Sequence, residues 1–341
     1  MKRLLSVIIL IALVIGVCGC TKQPNTVSKD DTQKEVNTQK TEPYVAVSEI
    51  DHYVLEPDDK LHMNEEDEQY YHMLMDSMFA QKETIILTDS ADKNWFYLDM
   101  LMQSPYFFFV DEYRLYGDTL TFVYKYSQQE QQQVLEFMDS ELLKIINSDA
   151  EKDDNELDIL LKIHAATASA LVYDHDRTDN KKLGSYRFSY PFDEMYRALR
   201  DKKGICYSYA YILRYALLQR GVDCFCVYGQ CTNMDEAHMW NVFEYNGKYY
   251  TCDPAWDRAE EGLPKLYQFG KTDTERVVDM LRKEGFSSFF YEEYGKVKCD
   301  DDMFSFFRGV AEYEYIGDHK YKMIDFNGKA SIFDSETLKF E

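Results

Sequence analysis

The chain has 341 residues, 45% of them apolar and 29% charged, which is enough apolar material to fill large cores and excludes a globally disordered chain. Its 38 basic residues stand against 61 acidic ones, a net charge of −23 whose field repels phosphate backbones and excludes nucleic acid as the expected partner. Eight cysteines are too sparse for a disulfide scaffold, so their positions must decide their roles.

Lys2 and Arg3 precede an apolar run from Leu4 to Val17, too short to span a bilayer but of the length of a secretory signal core. The run closes on Val17-Cys18-Gly19-Cys20, which resembles the bacterial lipobox, where small residues precede a cysteine that receives diacylglycerol before cleavage. By that resemblance residues 1–19 are a lipoprotein signal peptide. Cys20 is then the lipidated first residue, and the mature chain sits on the extracytoplasmic face of the cell membrane through acyl chains alone. Cleavage there removes Lys2 and Arg3 and leaves 36 basic against 61 acidic residues, or −25. Residues 20–50 are rich in Thr, Lys, Gln, Asn and Asp with few large apolar side chains, the composition of a flexible tether.

Residues 51–150 read as an N-terminal α+β module. Tyr70, Tyr71, Leu74, Met75 and Met78 recur at helical spacing and predict a helix over 65–79. The runs Tyr106 to Tyr116 and Thr119 to Tyr126, around Gly117-Asp118, predict a hairpin. Ser127 with Glu130 three residues on is a capping-box signal, and an amphipathic helix is expected from there to about Asn147. No nucleophile with an evident base occurs in this half, so a supporting role is expected of it. The acidic break from Asp149 to Asp154 marks the expected start of a second domain, residues 151–341. It opens with a helix on which Leu157, Leu160, Leu161, His164, Ala165, Ala168 and Leu171 share a face, and a histidine in such a stripe reads as a core residue. A short helix follows from Phe192 to Leu199.

Gly204 precedes a helical run from Ile205 to Arg220, with Cys206 in its first turn. Unsatisfied N–H groups and the positive end of the helix dipole favour thiolate over thiol there, and thiolate is the nucleophilic form. Val222 to Gly229 reads as a strand with Cys224 and Cys226 on one face. His238 to Tyr245 alternates as a second strand, Asn246-Gly247 is a strong hairpin signal, and Lys248 to Asp253 alternates on the return before Pro254. A two-residue turn pairs Tyr245 with Lys248 and Trp240 with Asp253, so His238 and Asp253 become diagonal neighbours with Cβ atoms about 7 Å apart. A carboxylate in that place can accept one ring N–H and leave the other ring nitrogen to take a thiol proton.

Taken together, Gly204-Ile205-Cys206 opening a helix, His238-Met239-Trp240-Asn241, and Tyr250-Thr251-Cys252-Asp253-Pro254-Ala255-Trp256 resemble the Cys, His and Asp blocks of the transglutaminase-like superfamily. The resemblance covers roughly Leu157 to Asp257 and is greatest to the domain of exported lipoproteins in low-GC Gram-positive bacteria. It implies an α+β fold with the nucleophile helix packed on an antiparallel sheet, a papain-like triad of Cys206, His238 and Asp253, and no cofactor. Two positions depart from the pattern: Ser208 stands where many relatives have glycine, and Met239 where many have a small residue, so an altered pocket shape is expected. The expected chemistry is acyl transfer through a Cys206 thioester on a peptide or glutamine carboxamide, with hydrolysis preferred over cross-linking. The Cys206 N–H is the expected oxyanion donor. Trp240 and Trp256 are candidates to line the substrate pocket and shield it from water. Two other readings compete: a zinc site drawn from Cys206, Cys224, Cys226, Cys231, His238 and Cys252, which lacks paired two-residue knuckles, and a non-catalytic surface module holding peptide or cell-wall ligands. Metal is therefore not expected, and the expected partners are a protein or peptide substrate, cell-wall material among them, and the membrane through the lipid. Beyond Lys265, Thr272 with Glu275 gives a further capping box, and Asn327-Gly328 a second hairpin turn in a β-rich extension.

Overall fold

The computed structural model describes residues 46–55, 63–87, 91–179, 194–231, 237–259, 261–276, 289–291 and 297–341. The expected signal peptide, Cys18, Cys20 and most of the expected tether lie outside them. Among the described residues no helix is long and apolar enough to cross a membrane.

The first helix, α1 (Glu65–Phe79), starts where Asn64 accepts the Glu66 and Asp67 N–H groups at 2.9 and 3.1 Å, and it buries Tyr71, Leu74, Met75 and Met78. After β1 (Thr84–Ile86) comes α2 (Ala91–Gln103). Its run Trp95-Phe96-Tyr97-Leu98 has no clean 3.6-residue period, which is why α2 does not announce itself in the sequence. Phe107–Phe109, expected in a strand, instead form a 3-10 turn with all three rings buried. The hairpin proper is β2 (Val110–Tyr116) and β3 (Thr119–Tyr124), in a sheet of order β1-β3-β2. Helix α3 (Gln128–Ile146) carries the expected cap: Ser127 Oγ accepts the Glu130 N–H at 3.3 Å and Glu130 accepts the Ser127 N–H at 2.9 Å.

Across the acidic break, α4 (Glu156–Ala170) packs against α3. Then follow β4 (Val172–Tyr173), α5 (His175–Asp179), α6 (Glu194–Asp201), β5 (Lys203–Gly204) and α7 (Cys206–Leu218). Strands β6 (Cys224–Cys231), β7 (Ala237–Tyr245), β8 (Lys248–Cys252) and β9 (Phe289–Tyr291) form an antiparallel sheet of order β8-β7-β6-β9. Helix α7 lies on β6 and β7 and is backed by α4, so every α7 residue except Tyr211 is buried. The fold is therefore α+β, with the cysteine helix packed on an antiparallel sheet. The extension is a four-stranded meander, β10 (Val310–Gly317), β11 (Lys320–Asp325), β12 (Ala330–Asp334) and β13 (Lys339–Phe340). It docks on α4 through Asp158, fully buried, which accepts from the Tyr321 hydroxyl at 2.9 Å and the Ser335 hydroxyl at 2.5 Å.

Two contacts set how α7 meets its surroundings. Asn241 of β7 is fully buried, and its Nδ2 donates to the carbonyl of Ala210 in α7 at 2.9 Å and to that of Phe225 in β6 at 3.3 Å. At the helix start, Ser208 Oγ accepts the Ile205 N–H at 2.9 Å and donates to Glu194. Glu194 is itself buried and paired with Arg177 at 2.6 Å and Arg197 at 2.9 Å. Ser208 thus ties α7 to α5 and α6. A Cβ on Gly204 would stand 2.6 Å from Ser208 Cβ and 2.8 Å from Leu171, so glycine is required for this approach. Gly204→Ala is expected to destabilise the fold by about 1–3 kcal/mol through overpacking. Gly204→Ala/Ser208→Gly should recover part of that loss in urea unfolding, because only the Leu171 clash remains.

Candidate active site

The β7–β8 hairpin turns on Asn246 and Gly247, whose φ values of 52° and 73° are both left-handed, as a two-residue type I′ turn requires. Tyr245 pairs with Lys248 and the ladder runs without a shift to Asn241 opposite Cys252, the register expected from the sequence. Asp253 lies one step beyond, and His238 Nε2 is 2.6 Å from its Oδ2. Cys206, at the start of the nucleophile helix, is near enough to His238 for its charge to act on the imidazole. Cys206 is the first residue of α7 and 4% exposed. Its N–H precedes the first intrahelical bonds, which Ser208 and Tyr209 make to Ile205 O at 2.9 and 3.3 Å, so it is open to a developing oxyanion.

Burial opposes charge on both members of the His–Asp pair, yet each holds it. For His238 the desolvation is outweighed by the charge and hydrogen bond of Asp253, then by Cys206, and its pKa is raised to about 9. Burial pushes Asp253 upward, but the charges of His238 and Arg276 and their hydrogen bonds hold it well below the usual carboxylate range. Asp253 Oδ1 accepts the Trp256 N–H at 3.1 Å, and Oδ2 accepts from Arg276 Nη2 at 2.5 Å as well as from His238.

Arg276 is the site residue that sequence reasoning missed. Its one local signal was the Thr272–Glu275 capping box, observed with Thr272 Oγ1 accepting the Glu275 N–H at 3.2 Å, which places Arg276 in the first turn of a helix. Trp240 and Trp256, the pocket candidates, stack on the imidazole with centroids at 6.1 and 4.8 Å. The same two indoles lie 4.8 and 4.3 Å from the Arg276 guanidinium. Asp257, also missed, is buried and accepts the Gln268 N–H at 3.0 Å through each carboxylate oxygen. It lies 3.4 Å from Nε2 of His164, whose Nδ1 is 3.0 Å from the Tyr313 hydroxyl, so His164 is a core residue. Tyr173, paired with Gly204 in the β4–β5 bridge, is a third neighbour; burial and then the Cys206 charge push its hydroxyl upward. Met239 is in the core. Cys224, Cys226 and Cys252 are buried in the core and form no disulfide, and among the described residues no three His, Cys, Asp or Glu side chains gather as metal ligands. The side chain of Cys231 is outside the described ones.

Residues 124–258 match the family described as a transglutaminase-like domain. No curated protein matches the chain. One similar solved structure is that of a TGase, with 16% identity, a TM-score of 0.30, and 43% of this chain aligned to 44% of that one. Another is from Cytophaga hutchinsonii, solved as a candidate cysteine protease, with 11% identity, a TM-score of 0.26, and 46% of this chain aligned to 65% of that one. The chain thus spans under half of the first protein's length and under two thirds of the second's. At these scores neither lends this chain a substrate.

A histidine whose folded pKa lies near 9 stabilises the fold fully only below its unfolded value of 6.5, and that contribution is lost as pH rises through 9. Urea midpoints between pH 6.5 and 9.5 should show a decline on the order of 2 kcal/mol attributable to His238. His238→Gln should flatten the decline; an unchanged slope in that variant would show that His238 carries no raised pKa.

Proposed function

We propose that this chain, which carries a transglutaminase-like domain over residues 124–258, is a cysteine-dependent acyltransferase or hydrolase acting on peptide or glutamine carboxamides. The observation that carries the reading is one linked set of contacts. A helix-initial thiol acts on the charge of His238, and Nε2 of His238 is 2.6 Å from a buried, ionised Asp253. Asp253 fixes the tautomer and plane of the ring, and the indole of Trp256 against its face restricts rotation and water.

The Cys206 proton moves to His238 Nδ1, and the sulfur attacks the acyl carbon, whose oxygen takes up the negative charge beside the Cys206 N–H. When the intermediate collapses, the carbon–nitrogen bond breaks and the departing ammonia or amine takes the proton from His238. The thioester is then resolved by water, which gives up a proton to His238 as its oxygen bonds the acyl carbon and the sulfur leaves as thiolate. A primary amine in place of water would give cross-linking by the same steps. Hydrolysis is preferred, because nothing among the described residues marks a route for a lysine side chain. A lipid on Cys20 would place this activity on the outer face of the cell membrane, with cell-wall peptide and exported protein within reach.

Incubation with a glutamine-bearing peptide and a labelled primary amine separates the outcomes. Free carboxylate or cleaved peptide indicates hydrolysis, and label on the peptide indicates transfer. Cys206→Ala should abolish either product, and His238→Ala should lower the rate by about 100-fold or more. Full product formation by Cys206→Ala would overturn the reading.

A further inference from the structure

We infer that Arg276 is a positioning residue of this site: its fixed positive charge on Asp253 keeps the buried Cys206–His238–Asp253 group electrically neutral once the thiol proton has moved to the imidazole. The inference rests on the acyl-transfer reading above and adds a fourth, cationic member to it.

The guanidinium is 2% exposed and spans two acceptors, Asp253 Oδ2 at 2.5 Å through Nη2 and Gln268 Oε1 at 2.8 Å through Nη1. The indoles of Trp240 and Trp256 flank it as they flank His238, so little water is left to screen the charges. The fold holds this position from both ends. Before it, Thr251 and Lys271 exchange backbone bonds at 2.8 and 3.0 Å, which pins the approaching segment to β8 just short of Asp253. Beside it, Glu275 is gripped by Arg308 through two bonds of 2.8 Å, and its pKa is lowered to about 2 because the Arg308 and Thr272 contacts outweigh the desolvation.

The charges around the pair are few. His238 faces Asp253 and Cys206. Asp253 faces His238 and Arg276, with Asp257, Cys252 and Tyr173 farther off and Arg258 stacked 4.5 Å over Tyr173. Without Arg276, a thiolate, an imidazolium and a carboxylate leave one net negative charge out of water; with it they sum to zero. Losing the thiol proton to solvent while the imidazole is charged, and later losing the imidazolium proton, each makes this enclosure one unit more negative. Both steps become costlier when the guanidinium is gone. Misplacement of Asp253 alone would instead weaken the hold on His238 and move its titration downward.

The test is alkylation of Cys206 in the full chain by iodoacetamide from pH 4 to 10.5, read at the Cys206 peptide by mass spectrometry, alongside iodoacetamide-independent titration of the His238 ring by NMR. In Arg276→Gln, the acid limb of alkylation and the His238 titration should both move up by roughly one pH unit. Arg276→Lys keeps the charge but not the two-pronged geometry, so both should stay in place while the rate falls several-fold. Titrations of Arg276→Gln that coincide with the wild type overturn the inference. If that variant does not fold, the lysine variant carries the test, and an alkaline displacement of its limbs overturns the inference in the same way. If His238→Ala leaves Cys206 alkylation unchanged, the acyl-transfer reading itself fails and this inference falls with it; a His238-dependent thiol that ignores Arg276 sinks the inference alone.

Discussion

An ionised carboxylate with its side chain 1% exposed is the constraint on which the rest of this structure turns. Moving such a charge out of water costs several kcal/mol unless cations and hydrogen bonds replace the lost hydration. Asp253 has two cationic partners on one oxygen and a backbone N–H on the other. Meeting those needs dictates much of the local fold. The chain turns directly after Asp253, with Trp256 and Asp257 N–H groups returning to its carbonyl at 3.2 and 3.0 Å. It then crosses back beside β8 at Thr251–Lys271 and begins a helix whose first turn delivers Arg276. The aromatic rings come along because a buried guanidinium and an imidazole both favour flat, apolar faces. What reads as a catalytic arrangement is also the solution to a solvation problem.

The second constraint is mechanical. Cys206 and His238 belong to different elements, and their distance depends on where α7 rests on the sheet. Asn241 fixes this by bonding to a helix carbonyl one turn past Cys206 from a strand position three residues past His238. Gly204 and Ser208 fix the other end, where absence of a side chain at one position admits the hydroxyl of the other. The nucleophile is thus held by groups that never touch a substrate. A glycine at 208 would free Glu194 from its Ser208 partner, so this chain's serine and its buried Glu194–Arg177–Arg197 cluster form one unit.

These layers differ in how far they could be read from the sequence. The His238–Asp253 contact was legible because a hairpin with a two-residue turn has integer arithmetic: once Asn246-Gly247 is recognised, every pair follows. The α3 start was legible because Ser127 and Glu130 satisfy each other locally. Arg276 was not, since nothing about an arginine after a capping box says what it will meet across 23 residues of chain. Helix α2 was hidden for another reason: Trp95-Phe96-Tyr97-Leu98 buries Tyr97 and Leu98 but leaves Trp95 56% exposed, so hydrophobicity misreports which face is inside. Phe107–Phe109 failed similarly, as three consecutive buried rings suit a tight turn as well as a strand. Local chemistry transmits through the sequence, and contacts between distant segments do not.

The cysteines show why one thiol in this fold is set apart. Cys252 and Cys299 have their thiols pushed up by burial, next to neighbouring negative groups, and a neutral thiol is a poor nucleophile. Cys224 and Cys226 lie under α7, each 3.7 Å from the Asn241 amide. Strand geometry also keeps Cys224, Cys226 and Cys252 from pairing. Cys226 and Cys252 flank Asn241 from β6 and β8, so their backbones are two strand spacings, roughly 10 Å, apart, beyond the reach of a disulfide. Cys224 and Cys226 sit two residues apart on one strand with parallel Cβ vectors, roughly 7 Å from each other, which is equally unfavourable. Helix-start amides, a histidine that keeps its proton, and a carboxylate balanced by arginine meet at Cys206. Cys224, Cys226 and Cys252 lie instead where the strands hold their thiols apart.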